Sequence, residues 1–209
     1  MMKRMKKLIT VFVFLISCTN CFAQNKGWVD SVAANYDLLK NKPFAELLLE
    51  DTSGKIFHTS SLSGKTIYVD FWFTACAPCL KEIPYSKALH QSFAHDTNVV
   101  FLSICIENIN RKPVWKQMIK EKEMPGIHLF YARNRPQKIN LLRAYNVQFP
   151  TYLLVNKEMK VIGYDAPRPS SGEWVHWAIE QATKNVSLAD FFRMSMKDPK
   201  AVRSFIQRN

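Results

Sequence analysis

The stretch Tyr68-Val69-Asp70-Phe71-Trp72-Phe73-Thr74-Ala75-Cys76-Ala77-Pro78-Cys79-Leu80-Lys81-Glu82 constrains this chain more than any other. It continues a run from Thr66 to Phe73 that is rich in β-branched and aromatic residues, the pattern of a buried strand. After Cys79 the pattern changes, and Leu80, Ile83, Leu89 and Phe93 form a rough apolar helix face. The two cysteines therefore stand where a central strand turns into a helix. Free N–H groups and the macrodipole at a helix N-terminus favour negative charge. A thiolate at Cys76 is stabilised there, and the thiolate is the reactive form of cysteine.

Around this centre the pattern alternates. Residues 24–41 are a lead-in, with a short helix expected around Val29 to Leu39. Phe44 to Glu50 reads as a strand, Asp51-Thr52-Ser53-Gly54 as a turn and Lys55 to His58 as the returning strand of a hairpin. After the cysteine helix, expected over Ala77 to Ala94, come a strand from Val99 to Ile106 and a helix from Pro113 to Lys122. A strand from Ile127 to Tyr131, a helix from Gln137 to Tyr145 and a strand from Thr151 to Val155 follow. Lys160 to Tyr164 pairs back across an Asn156-Lys157-Glu158 turn, and Gly172 to Thr183 forms a last domain helix. Strands alternating with helices, closed by a hairpin, predict an α/β sandwich with a mixed sheet. Beyond it, Ser187 and Asp198-Pro199 are helix starts. The apolar Leu188, Phe191, Phe192, Met194 and Met196 then predict a helical extension over residues 185–209, packed on the domain.

The combination of Asp70-Phe71-Trp72, Cys76-Ala77-Pro78-Cys79, Glu82 and the distant Phe149-Pro150-Thr151 resembles the thioredoxin superfamily. It is most similar to the exported TlpA/ResA-type thiol–disulfide oxidoreductases, which resemble it in having an N-terminal hairpin and a short leucine–x–glycine–lysine lead-in to the central strand, here Leu62-Ser63-Gly64-Lys65. The likeness covers residues 42–184. It implies a thioredoxin-like three-layer α/β/α sandwich with a mixed β-sheet and an N-terminal β-hairpin. It also implies disulfide exchange through a Cys76–Cys79 redox couple, with no cofactor. Cys76, at an exposed helix start, attacks a substrate disulfide, and Cys79, facing inward one turn on, resolves the mixed disulfide. Pro78 fits the first helical turn and stiffens the ring.

Two acids are candidate catalytic groups. Asp70 matches the acid that thioredoxins place under the second cysteine, where desolvation raises a carboxyl pKa. The lysine that many thioredoxins hold nearby falls at Ser103. Glu82 lies three residues after Cys79 on the same helix face. In the TlpA/ResA-type proteins a glutamate so placed is tied to active-site acidity and substrate choice. Pro150 matches the family's cis-proline, which sets the backbone of Phe149 beside Cys76 for pairing with an incoming peptide. Trp72, Ala77 and Pro78, with Phe73, are expected to frame the substrate site. Ala75 stands where many relatives carry tryptophan.

The N-terminus joins Lys3, Arg4, Lys6 and Lys7 to the apolar run Leu8 to Ile16 and ends in Cys21-Phe22-Ala23-Gln24, the three-part form of a secretory leader over residues 1–23. Its apolar run is too short to span a membrane comfortably. A second reading makes Leu15-Ile16-Ser17-Cys18 a lipoprotein box, with membrane attachment through a lipidated Cys18. Both readings export the domain. Removing the leader's four basic residues takes the net charge from +12 to +8. The remaining charge is dispersed, which fits a solvated surface and not a nucleic-acid site.

Cleavage after Ala23 leaves Cys76, Cys79 and Cys105, too few for a disulfide scaffold. Cys105, within the Val99 to Ile106 strand, is expected to be a buried, inert thiol. A zinc site needs four ligands, and His58, His90, His95, His128 and His176 show no convergent spacing, so no metal is expected. Leu80 after Cys79 excludes covalent haem attachment. A peroxidase hinted at by Phe73-Thr74, and a binding domain whose cysteines merely lock the fold, are the remaining alternatives. The Ala-Pro insert resembles that of reducing thioredoxins. The expected partners are exported proteins bearing disulfides, apocytochrome c among them, and a membrane thiol donor.

Overall fold

The computed structural model describes residues 26–198. The leader, its cleavage site, Cys18 and the Asp198-Pro199 helix start lie wholly or partly outside them. Residues 26–36 form helix α1. The strands are β1 (Leu48–Asp51), β2 (Ile56–His58), β3 (Thr66–Trp72), β4 (Val99–Glu107), β5 (Ile127–Ala132), β6 (Thr151–Val155) and β7 (Val161–Tyr164). The further helices are α2 (Ala77–Ser92), α3 (Lys112–Glu121), α4 (Leu141–Ala144), α5 (Glu173–Thr183) and α6 (Leu188–Ser195). One mixed seven-stranded sheet runs in the order β2-β1-β5-β4-β3-β6-β7. β3, β4 and β5 are parallel, while β1, β6 and β7 pair antiparallel to their neighbours. β1 and β2 form the N-terminal hairpin.

Side-chain alternation assigns the two faces of the sheet. On β3, Ile67, Val69 and Phe71 enter one cluster with Leu102, Ile104 and Ile106 of β4 and Leu129 of β5, which Leu141 and Tyr145 cover. Tyr68 and Trp72 point the other way, into clusters built with α2, α3, α5 and α6. Asp70 lies between Tyr68 and Trp72 in the alternation and so falls on this second face. Right-handed crossovers that step in one direction, β3 to β4 to β5, place α2 and α3 together on it.

Three elements differ from expectation. The first hairpin strand starts at Leu48, because Phe44, Ala45 and Leu47 turn their apolar side chains into the core without a ladder partner; Pro43 makes only an isolated bridge to Lys160. The helix expected from Gln137 starts at Leu141 instead. The Asn140 side chain accepts from the N–H of Arg143, a cap that fixes the start there. The lead-in helix begins earlier than Val29 and ends at residue 36.

Within the extension, Ser187 caps α6, and Phe192 is buried edge-to-face on Tyr36 at 5.4 Å between ring centroids. Leu188 of α6 also presses on Gly163 of β7. A Cβ at Gly163 would lie 2.8 Å from Leu188 Cβ and 3.3 Å from Leu154 Cβ. Gly163→Ala is therefore expected to cost about 1–3 kcal/mol by overpacking, read as a lower urea midpoint. An unchanged midpoint would mean that α6 yields freely.

Candidate active site

Strand β3 ends at Trp72, and four residues later Cys76 is the N-cap of α2. The backbone N–H of Cys79 donates to Cys76 Sγ at 3.2 Å. Pro78 lies in the first turn, where its missing N–H costs nothing. Cys76 and Cys79 are joined as a disulfide, with Cα atoms 5.2 Å apart. Cys105 is free and buried. Burial, first, and the nearby Glu107 raise its thiol pKa well above the ordinary value, so it stays a thiol.

Cys76 was expected to be exposed, yet in the bridged form it is 3% exposed, no more open than Cys79 at 5%. The reason is local packing: both sulfurs sit in an apolar cluster with Trp72, Cys105 and Trp115, flanked by Phe73 and Phe149. Trp72 is itself almost fully buried, so it supports the site from beneath and offers no surface to a substrate. Phe73 and Phe149 meet edge-to-face at 4.9 Å. Ala75, Ala77 and Pro78 are exposed around the cysteines. The Phe149–Pro150 peptide bond is cis.

Asp70 pairs in register with Ser103 of β4 on one side and Tyr152 of β6 on the other. Its Oδ1 is buried without a hydrogen-bond partner in the protein, while the residue as a whole borders a cavity. Desolvation, and secondarily the charge of Glu82, push its carboxyl up to about 7. Glu82 is not a solvated helix charge. It is buried on α2 and accepts two hydrogen bonds from Ser170, one from the backbone N–H and one from the hydroxyl, each 2.9 Å.

Sequence reasoning missed Ser170, which arrives from a 3-10 turn (Pro169–Ser171) 88 residues downstream. It also missed a polar group next to the cysteine loop. The Thr74 hydroxyl donates to Glu107 Oε2 at 3.1 Å, and Arg111 Nη2 donates to Thr74 Oγ1 at 3.0 Å. The sequence signal for it was a glutamate closing the mostly apolar β4 run.

A family model described as Redoxin matches residues 39–173. The thiol-disulfide oxidoreductase ResA of Bacillus subtilis (strain 168) is 32% identical over 123 residues, 55% of this chain; the match spans 60% of that relative, less than two thirds of its length. ResA of Bacillus thuringiensis (strain Al Hakam) is 27% identical over 164 residues, covering 77% of this chain and 88% of that protein. Among solved structures, the thioredoxin domain of a thiol-disulfide oxidoreductase from Bacteroides vulgatus aligns with a TM-score of 0.56 at 25% identity, over 68% of this chain and 96% of that one. A thiol:disulfide interchange protein from Bacteroides sp. shares the fold, with a TM-score of 0.56 at 23% identity over 70% of this chain and 93% of that one.

Proposed function

Because this chain belongs to the Redoxin family, and with it to the TlpA/ResA-type branch of the thioredoxin superfamily, we propose that it is a thiol–disulfide oxidoreductase working as a reductant. The observation that carries the exchange chemistry is the bridged Cys76–Cys79 pair at the start of α2, with a carboxyl on the strand beneath whose buried Oδ1 has no partner in the protein. The Ala77-Pro78 insert between the cysteines favours the reducing direction. Reduced Cys76 attacks a substrate disulfide as its thiolate and releases one substrate thiol. Cys79 gives its proton to the Asp70 carboxylate and attacks Cys76 Sγ. The second substrate thiol leaves, and the enzyme is left oxidised by two electrons.

The remaining residues have supporting parts. The N–H of Cys79 stabilises negative charge on Cys76. Glu82, held by Ser170, places a second charge near Asp70 and tunes its proton affinity. Exposed Ala77 and Pro78 form one side of the peptide groove, and Phe149 with cis-Pro150 forms the other.

We assign residues 1–23 to a leader cleaved after Ala23, or alternatively to a lipid anchor through Cys18. Residues 24–41 are the lead-in, 42–184 the catalytic domain and 185–209 the extension. The protein then acts outside the cytoplasm on exported proteins bearing disulfides, with cytochrome c maturation as one setting, and a membrane thiol donor recharges it.

A redox titration of the Cys76–Cys79 couple against glutathione tests the direction. The expected midpoint lies nearer the roughly −270 mV of a reducing thioredoxin than the about −120 mV of a strong oxidant. A midpoint at the oxidant end overturns the reductant reading.

A further inference from the structure

The register of three parallel strands aligns three polar side chains on one face. Asp70 of β3 pairs with Ser103 of β4, and Ser103 pairs with His128 of β5. Neighbours in such a row are about 4.8 Å apart along the hydrogen-bonding direction. Their flanking residues on this face are apolar: Tyr68 and Trp72 on β3, Cys105 on β4, Phe130 on β5. Each member of the row has a buried polar atom with no hydrogen-bond partner in the protein: Asp70 Oδ1, Ser103 Oγ and His128 Nδ1. A buried polar atom left unsatisfied costs free energy, so three side by side call for a common partner.

That partner has a place. The same three residues line a cavity of about 40 Å³ beneath α2. A cavity needs about 10–15 Å³ by this measure to hold one water, and a buried water needs two to four polar partners. Ile83, Ser86 and His90 of α2 roof it, continuing the stripe that begins with Cys79 one turn earlier. Its far side reaches Met124 and Pro125, which are half-buried, as are Ser86 and His90. The cavity therefore runs from Asp70, under the cysteine helix, toward the surface.

His128 is set up to receive a hydrogen bond here. Its Nε2 lies 3.0 Å from the carbonyl oxygen of Met124, which places the ring proton on Nε2 and leaves Nδ1 as an acceptor. Burial lowers its pKa, so the ring stays neutral at neutral pH. The Ser103 hydroxyl can donate and accept at once. Besides His128, the titratable groups around Asp70 are Glu82 and, across the cavity, His90 on α2, Tyr68 on its own strand, Cys105 on β4 and Tyr152 on β6. In the proposed mechanism none of these carries the proton away.

We propose that this cavity is a water-filled proton outlet for Asp70, in which Ser103 and His128 hold the water. It rests on the dithiol reading above. When Cys79 attacks Cys76, its proton passes to the Asp70 carboxylate and then through the water held by Ser103 and His128 to solvent. In reverse, the same path returns a proton to Cys79. No electrons move along it. Ser103 and His128 are positioning residues, acting through the water on Asp70.

Reduction of Ellman's reagent separates the steps. Cys76 attack releases one thionitrobenzoate, and Cys79 attack on the mixed disulfide releases the second. Ser103→Val and His128→Phe are expected to slow the second release about tenfold at pH 7 and leave the first unchanged. Losing a hydrogen bond to the carboxylate should raise the Asp70 titration, followed by carboxyl ¹³C NMR in Ser103→Val, by about 1–2 pH units. Both releases and the titration unchanged in both variants would overturn the outlet. Should either variant not fold, a crystal structure of the unaltered protein decides: ordered water bonded to Asp70 Oδ1 and Ser103 Oγ supports the outlet, and a dry cavity overturns it. An unaltered protein that releases only one thionitrobenzoate per molecule removes the dithiol reading itself, and the outlet falls with it.

Discussion

Asp70→Asn is expected to make the oxidised protein about 2–4 kcal/mol more stable at pH 8 and to change nothing at pH 4. The Asp70 carboxyl is pushed from the 3.8 of an ordinary aspartate up to about 7. Between those values the folded protein binds a proton that the unfolded chain has released. Stability therefore falls as pH rises through this window. The cost is absent below about pH 4 and fully present above about pH 7. At about 1.36 kcal/mol per pH unit the span is worth about 4 kcal/mol, and solvation from the cavity side lowers it. Asparagine keeps the shape of aspartate and cannot ionise, so it removes the cost where it exists. Urea unfolding of both proteins at pH 4, 6 and 8 checks this, and curves that stay parallel across the series would contradict it. On the proposed mechanism the same substitution removes the base for Cys79, and the second step of exchange should slow on the order of 10²-fold at pH 7. A protein that gains stability by losing a carboxylate, and loses rate with it, is holding that carboxylate for chemistry.

How much of this could be read from the residues alone depended on how local the cause was. Strand β3 and helix α2 were legible because a β-branched run and an apolar helical face are written in adjacent residues. The end of α2 moved by only two positions, and β6 was read to the residue. The start of α4 was misplaced because the Asn140 cap outweighed the apolar spacing of Ile139 with its neighbours. The cysteine pair, Asp70 and Pro150 were legible through the family motif. The burial of Cys76 was not, because it depends on aromatic packing from Trp72, Trp115 and Phe149, which come from three separate elements. Glu82 was legible as a candidate acid on the helix face of Cys79, but its burial was not, because that depends on Ser170, folded back from beyond β7. The row of Asp70, Ser103 and His128 is invisible in the sequence for a similar reason. It depends on register between strands, which tertiary pairing sets.

Cys76→Ser is expected to abolish disulfide reduction, a loss beyond about 10³-fold, while Cys79→Ser should keep the first attack and stall as a stable mixed disulfide. The asymmetry follows from where α2 places each sulfur. Cys76 caps the helix, outside its first turn, and faces the N–H of Cys79. A thiolate there gains from the helix N-terminus, and a serine hydroxyl at neutral pH remains protonated and does not displace sulfur. Cys79 lies within the helix, on the stripe that continues over the Asp70 cavity, so the proposed mechanism gives its proton an acceptor in Asp70, and its sulfur has one partner, Cys76. With Cys79 gone, Cys105 is the remaining thiol among the described residues, and it cannot take over. It is buried on β4, and burial holds it protonated. Mass spectrometry of Cys79→Ser after mixing with a disulfide-bonded substrate protein should find a one-to-one adduct at Cys76, reversed by dithiothreitol. An adduct that resolves by itself would reassign the resolving sulfur, and one carried on Cys105 would reassign the attacking one.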